Sequence, residues 1–326
     1  MKLGHRIRTV DGESRYRPRS IIRGLTILLL AVSLAACAPR QPGVTLALLG
    51  DLILGRGVSP TSDSLSYLSP YLSTADLALA NLESPLAPGD VPAAPTDGYN
   101  LCASSAQADL LAAWGLDLLS LANNHRDDCA PNGVTQTQSV LTSTGLTGLP
   151  PGNDPVIRQI NGLRLAFLAF DAVTSPLEVE AAAQAVRSAR GDGELVIVSI
   201  HWGMEYQGGA SERQEFLAQQ LAGAGATLVW GHHPHVLQPA EWLHPPVGSD
   251  PAGGSTLVLY SLGNALFDQG ALADTRQSAL VLITLDAQGV TKVDAVPFEI
   301  DLAQSRAVAP DPQASERILQ RLRLPQ

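Results

Sequence analysis

Short apolar runs recur along the chain, and most of them stop at a cluster of polar residues. Residues 44–49, 75–80, 116–122, 163–170, 195–200, 227–230 and 256–262 are rich in Leu, Val, Ile and Ala, are short for helices, and read as buried strands. Between them, residues 104–114, 134–144, 178–190 and 211–224 read as helices, and 61–73 reads as a polar-faced helix or turn. Alternating strand and helix predicts parallel βαβ units, in which ligands gather beyond the carboxyl ends of the strands. Residues 278–286 and 290–300 predict an antiparallel hairpin turning between Asp286 and Gly289. Residues 311–324 predict a docked helix: Asp311 caps it, Pro312 opens its first turn, and Ile318, Leu319 and Leu322 share one face.

The strand ends carry the candidate chemistry. Asp51 ends the first strand in a Gly-rich turn, Glu83 follows the second, and Asn124 and His125 follow the third. His201 closes the very apolar run 195–200, and His232, His233 and His235 crowd into four residues after 227–230. Each cluster has an ordinary reading as well, since Gly-Asp makes turns and a His-rich turn can be solvated. Taken together, hard oxygen and borderline nitrogen donors suit one or two divalent ions (Mn, Fe, Zn or Mg) better than copper, which would draw sulfur. A two-ion site needs a carboxylate that bridges both, and Glu83 is the best candidate.

Composition adds compartment and partners. The 326-residue chain is 45% hydrophobic and 16% charged, as a globular protein is. Residues 1–36 hold seven Lys and Arg against two Asp and Glu, which leaves 14 against 29, a net of −15, for the rest. Nucleic-acid binding, which needs a basic footprint, is thereby disfavoured. The basic stretch to Arg23, the apolar run 24–34 and the small residues before Cys37 read as a signal peptide over 1–36. Leu34-Ala-Ala-Cys37 resembles a bacterial lipobox, so Cys37 is expected to carry lipid and anchor an extracytoplasmic protein to a membrane of the cell envelope. Residues 37–43 would be a tether, 44–300 a single folded domain, and 301–326 an extension bearing a short helix. Export would permit Cys102 and Cys129 to pair in a disulfide, with two free buried thiols as the alternative.

Six ordered blocks carry a family resemblance: Gly50-Asp51 with Arg56; Asn81-Leu-Glu83-Ser-Pro85; Asn123-Asn-His125 with Asp128; His201 to Tyr206; Gly231-His-His-Pro-His-Val236; and Gly263-Asn264 with Phe267-Asp268. The series resembles the CapA-type proteins of poly-γ-glutamate capsule synthesis, a branch of the calcineurin-like metallophosphoesterases. The resemblance implies an α/β fold of two packed β-sheets flanked by helices. It implies that Glu83, Asn124, His201 and His233 surround one ion, and Asp51, Glu83 and His235 the other. His125 would be an acid or substrate contact, unless it only orients Asp128 or Asn124, and Arg56 either holds an anionic oxygen or makes a surface salt bridge. Glu205 and Tyr206 would line the cleft. Asn264 would orient a ligand or only pack, and His232 is expected to point away from its neighbours. One departure matters, because the parent pattern has a His where this chain has Ile53. Ala130 also replaces a usual glycine beside Cys129. The implied function is a metal-dependent hydrolase of capsule synthesis or export. The alternatives are an accessory subunit of a polymer synthase or exporter, and a generic phosphoesterase.

Overall fold

The computed structural model describes Met1, Val91 and residues 43–88, 100–191, 194–244 and 254–325. The expected signal segment after Met1, the lipobox Cys37, the tether up to residue 42 and most of the loop 85–98 lie outside the described residues.

The predicted alternation forms β1 (Val44–Leu52), α1 (Ser69–Leu72), β2 (Leu77–Leu82), β3 (Leu86–Ala87), β4 (Ala103–Ser104), α2 (Ala108–Ala113), β5 (Leu118–Ser120), α3 (Gly133–Ser143) and β6 (Thr147–Leu149). It continues through β7 (Gly152–Ile160), β8 (Leu163–Asp171), α4 (Val179–Gly191), β9 (Leu195–His201), α5 (Glu212–Gly223) and β10 (Leu228–His232). The last third holds β11 (Leu237–Leu243), β12 (Thr256–Leu262), β13 (Asn264–Leu266), β14 (Gln277–Asp286), β15 (Gly289–Asp301), β16 (Arg306–Val308) and α6 (Pro312–Leu322). One sheet runs β16-β15-β14-β1-β2-β5-β6, with β13 also paired to β1, and the other runs β11-β12-β10-β9-β8-β7. Strands β3 and β4 form a separate parallel ribbon.

The two sheets pack face to face, with helices on their outer faces. Leu46, Leu48 and Leu79 of the first sheet share one buried cluster with Phe167, Ile197, Leu228 and Trp230 of the second. The first sheet's other face buries Ala47, Leu49 and Ala78 against Leu72, Leu111 and Leu141 of helices α1 to α3. The second sheet's other face buries Val196, Val198 and Val229 against α4 and α5 through Val186, Leu217 and Leu221. Two polar ties cross the inner layer: Trp230 Nε1 donates to Leu49 O at 3.0 Å, and the Ser199 and Ser120 hydroxyls bond at 2.8 Å.

The C-terminal residues are woven into this layer. β16 pairs with β15, and α6 buries Ile318 and Leu322 in the inter-sheet cluster. Asp311 caps α6 by accepting from Ala314 N at 2.7 Å. Leu319, expected on the buried face, is instead 42% exposed, because it stands beside the stripe set by Ala314, Ile318 and Leu322.

Candidate metal centre

Period-two alternation delivers most of the site. Along β2, Leu77 and Leu79 face the other sheet, so Asn81 and then Glu83 continue that face. Along β9, Leu195 and Ile197 do the same and His201 follows; along β10, Leu228 and Trp230 lead to His232. β1 needs a correction. Against β2 its register shifts between Leu48 and Asp51, and strict alternation would have put Asp51 on the helix-covered face with Ala47 and Leu49. At that irregularity Gly50 packs so closely on the Gly263 carbonyl that a Cβ would lie 1.9 Å from its oxygen, and Asp51 N donates to the same oxygen at 2.9 Å. The extra residue turns Asp51 inward, where its carboxylate meets Asn81, His232 and His235.

Glu83 sits at the centre and is fully buried. Neither of its carboxylate oxygens has a hydrogen-bond partner. On one side, His201 Nε2 lies 3.5 Å from Glu83 Oε1, and the His201 and His233 rings are 4.8 Å apart. Asn124 Oδ1 is 2.7 Å from His201 Nε2, and the buried His233 Nδ1 has no partner. On the other side, His235 Nδ1 lies 3.3 Å from Asp51 Oδ2 and its Nε2 lies 3.9 Å from Glu83 Oε1. Donor atoms of Glu83, His201 and His233 lie within 4.8 Å of one another, as do those of Asp51, Glu83 and His235. These are two half-sites sharing one carboxylate.

Neighbours fix the donors in place. Asn81 Nδ2 donates to Asp51 Oδ1 at 2.8 Å, and Asn123 Nδ2 donates to Asn81 Oδ1 at 3.3 Å and to Leu82 O at 2.9 Å. Asn264 Oδ1 lies 2.9 Å from His235 Nδ1, so this residue orients a candidate ligand as well as packing. His125 Nδ1 is 2.8 Å from Asp128 Oδ2 at the partly exposed mouth. Arg126 anchors that loop by donating to Asn123 O at 2.9 Å and pairing with Asp171. Arg56 pairs with Asp268 and lies over the Phe267 ring, 4.5 Å from its centroid, so these contacts support the salt-bridge reading. Ile53 is fully buried among apolar neighbours.

Residues 45–269 match the family model for the bacterial capsule synthesis protein PGA_cap. The chain belongs to this capsule-synthesis family. It is 29% identical over 296 residues to the capsule biosynthesis protein CapA of Bacillus anthracis, covering 81% of this chain and 69% of that one. It is 27% identical over 300 residues to the PGA biosynthesis protein CapA of Bacillus subtilis strain 168, covering 84% and 76%. A solved structure of a hypothetical protein from Thermus thermophilus shares the fold, with a TM-score of 0.50 at 17% identity, covering 78% of this chain and 99% of that one.

In this PGA_cap chain the two half-sites differ electrically. Burial, with His235 nearby, lowers His233 to about 4. Burial and His233 hold His201 well below the usual imidazole range. Both rings are therefore neutral at pH 7, as metal-ligating imidazoles must be. Burial pushes the Glu83 carboxyl up to about 7 against the pull of His235. Burial also opposes charge on His235, yet Glu83 and Asp51 raise it to about 9. Burial opposes charge on Asp51 too, but its hydrogen bond to His235 and the neighbouring imidazoles keep it well below the usual carboxylate range. His125 is raised, because Asp128 and Glu83 outweigh burial.

The donor set fits a divalent cation. Both Glu83 oxygens and His233 Nδ1 are buried without partners in residues whose donor atoms lie within 4.8 Å, and hard oxygen with borderline nitrogen suits Mn, Fe, Zn or Mg. His232 corrects the expectation that it points away: it is buried, its Nδ1 is 3.5 Å from Asp51 Oδ1, and neither ring nitrogen has a hydrogen-bond partner. The alternation Leu228, Trp230, His232 is the signal for its direction. Glu205, given only a rim role by the sequence, has a carboxylate within 4.8 Å of donor atoms of His233 and His235.

Proposed function

We propose that this chain is a divalent-metal-dependent hydrolase of metallophosphoesterase type that serves capsule or poly-γ-glutamate synthesis or export. It would work outside the cytoplasmic compartment, anchored to the membrane through lipidated Cys37 and associated with a polymer synthase or exporter. The carrying observation is Glu83, a fully buried carboxylate with two unpartnered oxygens between imidazoles on both sides. Glu83, Asn124, His201 and His233 would hold one ion, and Asp51, Glu83 and His235 the other. Divalent cations at such a centre supply an activated water and offset negative charge that develops in the transition state.

The chain's own residues do the rest. His125, at the mouth and favoured in its protonated form by Asp128, would give a proton to the leaving group. Asn264 and Asn81 keep His235 and Asp51 in register, and Arg56 holds Phe267, whose ring packs 5.2 Å from that of His235. The join between Cys102 and Cys129, with Cα atoms 4.9 Å apart, supports an oxidising compartment.

Metal analysis and thermal melting of the purified chain test the reading. The wild type is expected to retain divalent metal and melt higher in Mn²⁺, and Glu83→Gln to lose both properties. A wild type that carries no metal and melts at the same temperature with or without Mn²⁺ sinks the proposal. Ile53 favours a second reading, a non-catalytic accessory subunit, because an apolar core residue stands where the parent pattern has a ligand. Under that reading Glu83→Ala would still support polymer production in cells and still capture the synthase.

A further inference from the structure

A cleft of about 610 Å³ opens beside the metal centre, between the segment around Tyr206, the start of β11, the turn at Asp274 and helix α6. Its near end is one side chain from the site: the Tyr206 ring lies 6.4 Å from that of His235, and Val236 lines the wall directly after His235. Arg317, Arg321 and Arg323 line its far side. These are three of the 14 basic residues that face 29 acidic ones beyond residue 36, so their concentration on helix α6 and the residue that follows it is not explained by average composition.

Their pairing matters. Arg321 is held against the wall by Gln277 Oε1 at 2.9 Å and Asp274 Oδ1 at 2.7 Å, so its charge is partly offset. Arg317 and Arg323 are exposed and have no acidic partner among the described residues. The three guanidiniums and Asp274 leave the cleft net positive in a chain that is otherwise strongly negative. Apolar side chains share the lining with these charges: Tyr206 is 43% and Leu272 47% exposed, and Pro239 of β11 adds a further apolar surface. Guanidinium forks match carboxylates or phosphates equally well, but apolar wall between them suits a chain with methylene groups between its anionic groups.

We propose that this cleft is a subsite that takes an extended acidic polymer through its pendant carboxylates and leads it past Tyr206 to the metal centre. The substrate class rests on the capsule-polymer reading above, whereas the attraction for anions rests on the arginines alone. Such a subsite offsets the repulsion that a net of −15 would otherwise impose on a polyanion.

Fluorescence anisotropy of labelled poly-γ-glutamate with the full chain tests it, in chelator and in Mn²⁺. The wild type is expected to bind in both, more weakly as salt rises. The Arg317→Gln/Arg323→Gln variant should bind about tenfold more weakly, the combined effect of two exposed charge contacts, with unchanged melting temperature and metal content. An Arg213→Gln/Lys292→Gln variant removes the same charge elsewhere and should change affinity by less than about twofold. The proposal is overturned if the first variant binds as the wild type does, if the second loses as much, or if polyphosphate of matched length competes better than the glutamate polymer. Metal content separates the two ideas: a chain that binds the polymer but never metal keeps this subsite and sinks the hydrolase.

Discussion

The two halves of the centre share the Glu83 carboxylate but differ in how their other donors are partnered. On the His201 and His233 side, burial has stripped the imidazoles of charge and left donor atoms without partners. On the Asp51 and His235 side, the partners satisfy one another: His235 is held charged against Asp51, Asn264 takes up its Nδ1, and Asn81 donates to Asp51. A cation entering the first side would meet the unpartnered Glu83 oxygens and His233 Nδ1 and displace one hydrogen bond, that between His201 Nε2 and Asn124 Oδ1, while one entering the second would displace a proton and an ion pair. Ile53 widens the gap by withholding a further donor. We therefore expect the first half-site to be the tighter one.

The largest effect should come from removing a ligand on each side in turn. His233→Ala is expected to cut affinity for the first equivalent of Mn²⁺ by on the order of 100-fold, whereas His235→Ala leaves that equivalent nearly intact and removes the second. Titration calorimetry reads both, and equal losses of the first equivalent would break the asymmetry.

A smaller effect is the pH dependence of the metal-free protein. His235 rises from 6.5 to about 9 on folding, so its contribution is fully present below pH 6.5 and is lost as pH climbs through 9. Glu83, raised from 4.5 to about 7, loses its contribution over a lower window in the same direction. Asp51, shifted down, changes only in acid and is constant here. In chelator the melting temperature should fall between pH 6.5 and 9, while the gain from added Mn²⁺ grows, because the ion takes the proton's place. A flat melting profile in chelator would show that the second side carries no such proton.

The smallest effect tests orientation. Asn264→Ala leaves every proposed ligand in place but frees the His235 ring, and should weaken only the second equivalent, by about tenfold. An equal loss at both equivalents would mean that the two sides are coupled more tightly than their contacts suggest.

Much of this arrangement is legible from alternation. Strands β8, β9 and β12 are predominantly apolar runs, and the apolar pattern marks each to within a residue of its observed ends. Edge strand β7 escapes it because most of its residues are polar or half exposed, and β11 because Pro239 and Glu241 interrupt it. The inward turn of Asp51 depends on a one-residue irregularity that leaves no periodic trace. The pairing of Cys102 with Cys129 depends on how two loops meet, which spacing does not encode.

The turn that carries His233 and His235 has one more consequence. Both residues have left-handed backbones, with φ of 96° and 58°, a region where a side chain costs about 1–3 kcal/mol and glycine costs little. Glycine at either position would relax the loop and remove an imidazole. The fold would become easier to keep just as the centre became harder to fill, so the chain carries a conformational debt at the two positions where its chemistry is concentrated.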